Sequence, residues 1–435
     1  MSIELVTIIM FGSLIIGLVL GLPLTFLLGG IAVVCTYFLW GPQAITMIVL
    51  RAFDWSTNFL VIAIPLFIFM GLLLERSGIA ERLFEMIYRW SGRLRGGLAM
   101  GTVGICTIFA AMTGITGAAT VTMGLIALPS MLSRNYDKNL AVGSIAGGGT
   151  LGILIPPSVM MIILGLVTGA SVGKLFAGGI TAGLTLSLLF MAYIGIRSFL
   201  QPQLAPASPV AFTWREKIST LVSVIAPLLL IIAVLGAIFG GIATPTEAAA
   251  VGAFGALIFV FIYRRFSWKL FKEICYTNLR LSSMIVWIII GASCFVSLYT
   301  AVGATDFIRG ILIGLEVNRW FVVIGMMLIV FVMGMFLEPG GIIMLAAPIF
   351  YPIVLELGFN PIWFGILFVI NLQMGYISPP FGFNLFYMRS VCPPSISMGD
   401  IYRSILPFLG VMMLGMAIIM VFPQIATWLP GIIVK

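Results

Sequence analysis

Apolar runs about 20 residues long, the length that spans a bilayer, recur from one end of this 435-residue chain to the other. In lipid every backbone polar group must find its partner within the chain, which leaves little choice of secondary structure. With 61% hydrophobic and only 8% charged residues, the chain carries more apolar surface than a soluble protein can bury. The expected fold class is an all-α polytopic membrane protein. The first run starts at Ile3 with no basic stretch ahead of it and no small-residue cleavage site behind it. It is therefore expected to be a retained span.

The chain contains no histidine, and its five cysteines (Cys35, Cys106, Cys275, Cys294, Cys392) lack metal-ligand spacing. Zinc-protease motifs, Ser-His-Asp and Cys-His pairs and histidine-ligated haem are thereby excluded. The cysteines read as small hydrophobes. No enzyme activity, resident cofactor or nucleic-acid partner is expected. The net charge of +8 is instead explained by orientation in the bilayer.

Length and apolar continuity predict spans at 3–20, 22–40, 57–75, 139–168, 175–197, 219–240, 246–263, 281–300, 361–388 and 402–425. The stretches 97–133 and 320–357 are too long for one helix, and turn-forming clusters interrupt them at "TGITG" (113–117) and "EPGG" (338–341). Each is predicted to be a re-entrant helical hairpin, entering and leaving by one face. On that reading 17 of the 22 Lys and Arg residues fall in cytoplasmic segments, and only Arg51, Lys174, Arg309, Arg319 and Lys435 lie outside. That bias orients the protein with both termini periplasmic. Segments 76–95 and 302–319 are predicted to lie along the inner and outer surfaces respectively. Thr244-Pro245-Thr246-Glu247 reads as a capping box opening a span.

The pattern Gly152-x-x-x-Pro156-Pro157 returns as Gly375-x-x-x-Pro379-Pro380 at an offset of 223, and "SVGKLF" (171–176) returns as "SMGDIY" (397–402) at 226. Each half then has three spans, a surface helix, a hairpin, a broken span and a closing span. The halves enter the membrane from opposite sides. The expected organisation is an inverted-topology repeat, residues 1–200 and 219–435, joined by a cytoplasmic linker at 201–218 that contains "APASP". Paired prolines remove intrahelical hydrogen bonds and clash with the preceding turn. The chain should unwind there near mid-membrane, where freed dipoles are tolerated only inside protein or beside a wet cavity. Unwound carbonyls suit a cation, and half-helix N-termini suit an anion.

Candidate binding residues follow from these breaks. The first set comprises Thr113, Gly114, Thr116 and Gly117 at the first hairpin tip, with Thr120 a turn further, facing Gly149, Thr150, Gly152, Pro156, Pro157 and Ser158. It offers neutral oxygens and close backbone approach, suited to Na⁺; the alternative is that these small residues serve only helix packing. The second set is Glu338, Pro339, Gly340 and Gly341 at the second tip, with Asn371, Gln373, Met374, Gly375, Ser378, Pro379 and Asn384 on the second broken span. Amides and hydroxyls there are expected to line the cavity. Glu338 is a proton site, a cation ligand or a cap on the hairpin's second helix, with the cap preferred. The other acids lie near span ends or in loops, so a carboxylate relay for protons is missing.

The segments "GTLGILIPPS" (149–158), "TGASVGKLFAGGI" (168–180), "GGIATPTEAAAVGAFGAL" (240–257) and "NLQMGYISPPFGFNLF" (371–386) resemble the large membrane (permease) subunit, DctM-like, of TRAP (tripartite ATP-independent periplasmic) transporters. The resemblance covers nearly the whole chain. It implies an elevator-type fold like that of the ion-transporter superfamily and Na⁺-driven uptake of a small organic acid, carboxylate or sulfonate, across a bacterial inner membrane. It also implies a periplasmic binding protein that delivers the acid and a small four-span membrane subunit. Because the chain opens on its first span, that small subunit is expected as a separate chain. Carried onto this sequence, Na⁺ would be held by Thr113, Thr116, Gly149 and Gly152, and by Glu338, Gly340, Gln373 and Gly375. The second tip carries few hydroxyls, so an ion there would rest on backbone oxygens.

Two readings compete. A two-component Na⁺/dicarboxylate symporter shares the repeat and the hairpins but needs no binding protein. A channel would want rings of charge or a filter loop, and opposed hairpins favour alternating access over an open pore.

Overall fold

A computed structural model describes residues 2–91, 94–114, 116–207, 212–314 and 317–433, of which 222–224 and 311–314 as backbone only. The regular elements among the described residues are all helices, with no strand. The first half runs α1 (Ile3–Val19), α2 (Leu24–Trp40), α3 (Ile45–Ser56), α4 (Ala63–Arg76), α5 (Ile79–Ser91), α6 (Gly97–Thr113), α7 (Thr116–Leu132), α8 (Lys138–Gly149), α9 (Val159–Thr168) and α10 (Val172–Leu200). The second runs α11 (Trp214–Phe239), α12 (Pro245–Ile262), α13 (Trp268–Ala301), α14 (Ala304–Gly314), α15 (Arg319–Gly334), α16 (Pro339–Glu356), α17 (Pro361–Tyr376), α18 (Phe383–Val391), α19 (Met398–Val421) and α20 (Gln424–Ile433).

Local chemistry explains where many helices start. Thr213–Glu216, Thr244–Glu247 and Ser397–Asp400 each form a reciprocal capping box at the head of α11, α12 and α19. Asn58, Asp137, Asn318 and Asn360 accept backbone N–H bonds at other starts. Among the described residues six helices are long and apolar enough to cross a membrane alone: Phe59–Arg76, α10, α12, α13, α16 and α19. Bare apolar side chains stand on them, such as Phe199 on α10 and Phe254 on α12. Water would penalise such a surface; lipid or a membrane partner suits it.

Both predicted hairpins form. α6 and α7 turn about Gly114, which takes a left-handed φ of 62°, and α15 and α16 turn between Gly334 and Pro339. Legs of 16 to 18 residues extend about 24–27 Å, so each tip reaches far into the bundle. Both breaks form too. α8 gives way to a 3-10 turn at Thr150–Ile153 and then to non-helical chain before α9, and α17 ends at Tyr376 before α18.

The packing is reciprocal between the halves. α4 lies on α12 as α13 lies on α2; α8 meets α19 as α17 meets α10; α9 meets α16 as α18 meets α7. Within each half the first hairpin leg packs on the broken span, α6 on α8 and α15 on α17. Each break therefore sits between its own half's hairpin and the other half's closing helix.

Several boundaries differ from expectation. α13 begins at Trp268 rather than 281, because Ser267 caps it and no breaker intervenes before the apolar run. The predicted span 402–425 stops at Val421, where Pro423 ends it and a separate α20 follows. α3 is an additional helix ahead of the third span. α5 is amphipathic as expected, burying Ile79, Ala80, Leu83 and Met86 on one side. Residues 208–211 of the linker, 315–316 of the second surface segment, Met1 and 434–435 lie outside the described residues, so the expected periplasmic termini fall there.

Candidate ion and substrate site

The first break is completely buried from Thr150 to Ser158. Ser158 bridges it: its hydroxyl donates to the Ile153 carbonyl (2.5 Å) and accepts from Met161 N–H (3.4 Å), which caps α9. Thr150 donates to Gly147 O at 2.7 Å, ending α8. The first hairpin tip rests on this break. A side chain at Gly114 would strike the Pro157 carbonyl, and one at Gly149 would strike the Thr120 hydroxyl. Glycine at 114 lets backbone meet backbone, and glycine at 149 leaves room for the Thr120 hydroxyl. Gly71 of α4 does the same service, since a Cβ there would lie 2.8 Å from Thr113 O.

The two broken spans then meet each other. Gln373 Nε2 donates to the Thr150 carbonyl at 2.8 Å, across a sequence separation of 223. That separation equals the repeat offset, so each residue bonds its own counterpart. Eleven residues on, fully buried Asn384 joins three elements. Its Nδ2 donates to Ala146 O at 2.8 Å, and its Oδ1 accepts from Thr120 Oγ1 at 2.7 Å. One amide thus ties hairpin α6–α7 to both broken spans.

Two buried oxygens in this cluster have no partner among the described residues: Thr116 Oγ1 and Gln373 Oε1. Leaving such an atom unpaired costs about 1–3 kcal/mol, and an oxygen with free lone pairs is what a hard cation binds. Among the described residues no group of His, Cys, Asp and Glu could hold a metal ion. The donors this cluster offers are neutral side-chain and backbone oxygens. Thr113 is otherwise engaged, donating to Phe109 O at 3.0 Å.

The second tip differs from expectation in one respect. Glu338 stands at the N-cap of α16, yet its carboxylate makes no capping hydrogen bond. The glutamate chain is a poorer cap than Asp or Asn. The carboxylate comes within electrostatic reach of Tyr376 and Tyr387. The Tyr387 ring also abuts Gly117 of the first tip. Glu338 and the two tyrosines therefore bring the second tip toward the first. Neither tyrosine was singled out from sequence; the available signal was a phenol within the broken span beside the prolines.

The remaining candidates make contacts within and between the packed helices. Asn371 Nδ2 donates to the Met327 carbonyl of α15, and Ser378 donates to Met374 O at 2.7 Å, so neither stands free in a cavity. Gly375 touches Gly334, where a Cβ would come within 2.5 Å of Cα. Gly341 packs on Leu24, and Gly340 faces only Ile163. Pro379 is partly exposed and Pro380 exposed. The second break thus reaches the molecular surface where the first does not.

Comparison with known proteins bears on what such a site serves. The sequence profile of the family described as "Tripartite ATP-independent periplasmic transporter, DctM component" matches residues 11–425. The C4-dicarboxylate TRAP transporter large permease protein DctM of Pseudomonas aeruginosa is 33% identical over 92% of this chain and 93% of its own length. The isethionate TRAP transporter permease protein DctMQ of Oleidesulfovibrio alaskensis is 32% identical over 97% of this chain and 66% of its own. In fold, the YdaH transporter of Alcanivorax borkumensis is similar with a TM-score of 0.63 at 14% identity, covering 93% of this chain and 98% of that one.

Proposed function

Since the chain belongs to the DctM component family of tripartite ATP-independent periplasmic transporters, we propose that it imports a small organic acid as the large membrane subunit of a secondary transporter. The named cargoes of its relatives, C4-dicarboxylates and isethionate, support a carboxylate or sulfonate. A periplasmic binding protein delivers the acid, and a separate four-span subunit completes the membrane part in the inner membrane. Residues 1–200 and 219–435 act as inverted repeats about the linker 201–218. Within them α6–α9 and α15–α18 form the moving body of an elevator, and the other spans form its frame.

Na⁺ is the coupling ion. The observation that carries this reading is the pair of partnerless buried oxygens, Thr116 Oγ1 and Gln373 Oε1, beside two unwound spans joined by the Gln373–Thr150 bond. Thr113, Thr116, Gly149 and Gly152 would hold one ion; Glu338, Gly340, Gln373 and Gly375 would surround a second. Uptake by protein reconstituted in vesicles with both partners should require an inward Na⁺ gradient. Full activity driven by a proton gradient alone would sink the Na⁺ assignment. Full uptake by the chain without a binding protein would turn the reading toward a two-component Na⁺/dicarboxylate symporter.

A further inference from the structure

Away from the hairpin tips, a cavity of about 380 Å³ lies where α3, the last turns of α13, the end of α9 and the middle of α16 meet. Sites for small molecules have about 300–1,000 Å³. Its chemistry is uneven. α9 and α16 contribute only apolar side chains, whereas α3 presents Arg51 and Trp55, four residues apart, and α13 presents Ser293, Ser297 and Thr300. Residues three or four apart share a helix face, so a guanidinium looks across the cavity at a row of hydroxyls.

The charge has nothing to answer it. Among the described residues Arg51 makes no ion pair, and Asp54, one turn on, is exposed and not within bonding distance of it. Ser293 donates to Ile290 O at 2.8 Å and Thr300 shares a bond with Thr305 at 3.2 Å. Ser297 has no such bond among the described residues, which leaves its hydroxyl free to donate. The Cys294 thiol donates to the Ile48 carbonyl at 3.7 Å and clips α3 to α13, fixing the distance between arginine and serine. A guanidinium offers a rigid fork of N–H donors matched to carboxylate, sulfonate and phosphate oxygens.

We propose that this cavity binds an oxyanion head group, the carboxylate or sulfonate of a small acid, on Arg51 with Ser297 as the second donor and Trp55 as a wall. A lipid phosphate presents the same chemistry, and the test separates the two. The site shares no residue with the hairpin cluster and does not depend on the ion-coupling reading.

The test uses the full chain in neutral-lipid nanodiscs, with Cys35, Cys106, Cys275 and Cys392 replaced, buried Cys294 kept as the clip between α3 and α13, and Ser297→Cys introduced. Labelling rates are measured for an anionic (sulfonatoethyl) and a cationic (trimethylammonioethyl) methanethiosulfonate. Arg51→Gln should lower the anionic-to-cationic rate ratio about tenfold, the effect of one charge about 6 Å from reagents of opposite sign in water. Arg51→Lys should retain the ratio, which also checks that the cavity is intact. Millimolar succinate or isethionate should slow the anionic reagent with Arg51 in place and not with Arg51→Gln. A ratio that falls in both variants or in neither overturns the site. Slowing by phosphatidylglycerol in the nanodisc, with no effect of either acid, overturns the small-acid assignment in favour of a lipid.

Discussion

Asn384 offers a direct measure of how firmly the two halves are joined. Its amide makes two interhelical hydrogen bonds, to Thr120 Oγ1 at 2.7 Å and to Ala146 O at 2.8 Å, in a fully buried position. Side-chain hydrogen bonds between membrane helices contribute about 0.6 kcal/mol each and reach about 1.7 kcal/mol. Asn384→Ala should therefore destabilise the protein by about 1–3 kcal/mol, and Thr120→Ala by about 0.6–1.7 kcal/mol. The double variant should cost less than the sum, because the Thr120–Asn384 bond is lost only once. The measurement is a double-mutant cycle, unfolding the purified protein by sodium dodecyl sulfate in mixed micelles and following circular dichroism. A coupling of about 0.6 kcal/mol or more is expected. Strict additivity, within about 0.3 kcal/mol, would mean that the amide does not join hairpin and broken span, and the three-element junction would have to be abandoned.

Two further outcomes follow from the same geometry. Thr116→Val removes a hydroxyl with no protein partner, so stability should hold or rise by up to about 1 kcal/mol, while the Na⁺ concentration for half-maximal uptake rises; reduced stability with unchanged Na⁺ dependence would remove Thr116 from the ion site. Gly375→Ala forces a Cβ to within 2.5 Å of Gly334 and should cost about 1–3 kcal/mol and abolish uptake, whereas Gly325→Ala, which meets nothing within 4 Å, should leave both intact; equal behaviour of the two variants would refute the close crossing of α15 and α17.

Much of the architecture was readable because lipid makes sequence rules strict. Apolar length announced the spans, "TGITG" and "EPGG" the hairpin turns, and the two Pro–Pro pairs the breaks. Thr244 and Glu247 cap α12 as their spacing predicted. Helix ends set by weak signals were less legible: α13 runs back to Trp268 on a serine cap alone. In the candidate site, composition pointed to the oxygens but not to their partners. Asn371 and Ser378 looked like cavity linings yet bond neighbouring backbone, because a buried amide takes the nearest carbonyl. Glu338 looked like a cap and is not one, since only tertiary packing could bring Tyr376 and Tyr387 near it. The contacts of Gln373 with Thr150 and of Asn384 with Ala146 end on main-chain carbonyls, which every residue carries and no sequence marks.

The bond between Gln373 and Thr150 means that a position touches its own duplicate. Neither unwound segment can swing away without releasing the other, so a conformer with only one gate detached has a severed bond and one more stranded carbonyl. Slippage, in which an ion escapes without cargo, needs such lopsided conformers. On the proposed Na⁺ coupling, the joint between the copies would act as a safeguard on stoichiometry, and its strength would set how tightly the gradient is tied to the load.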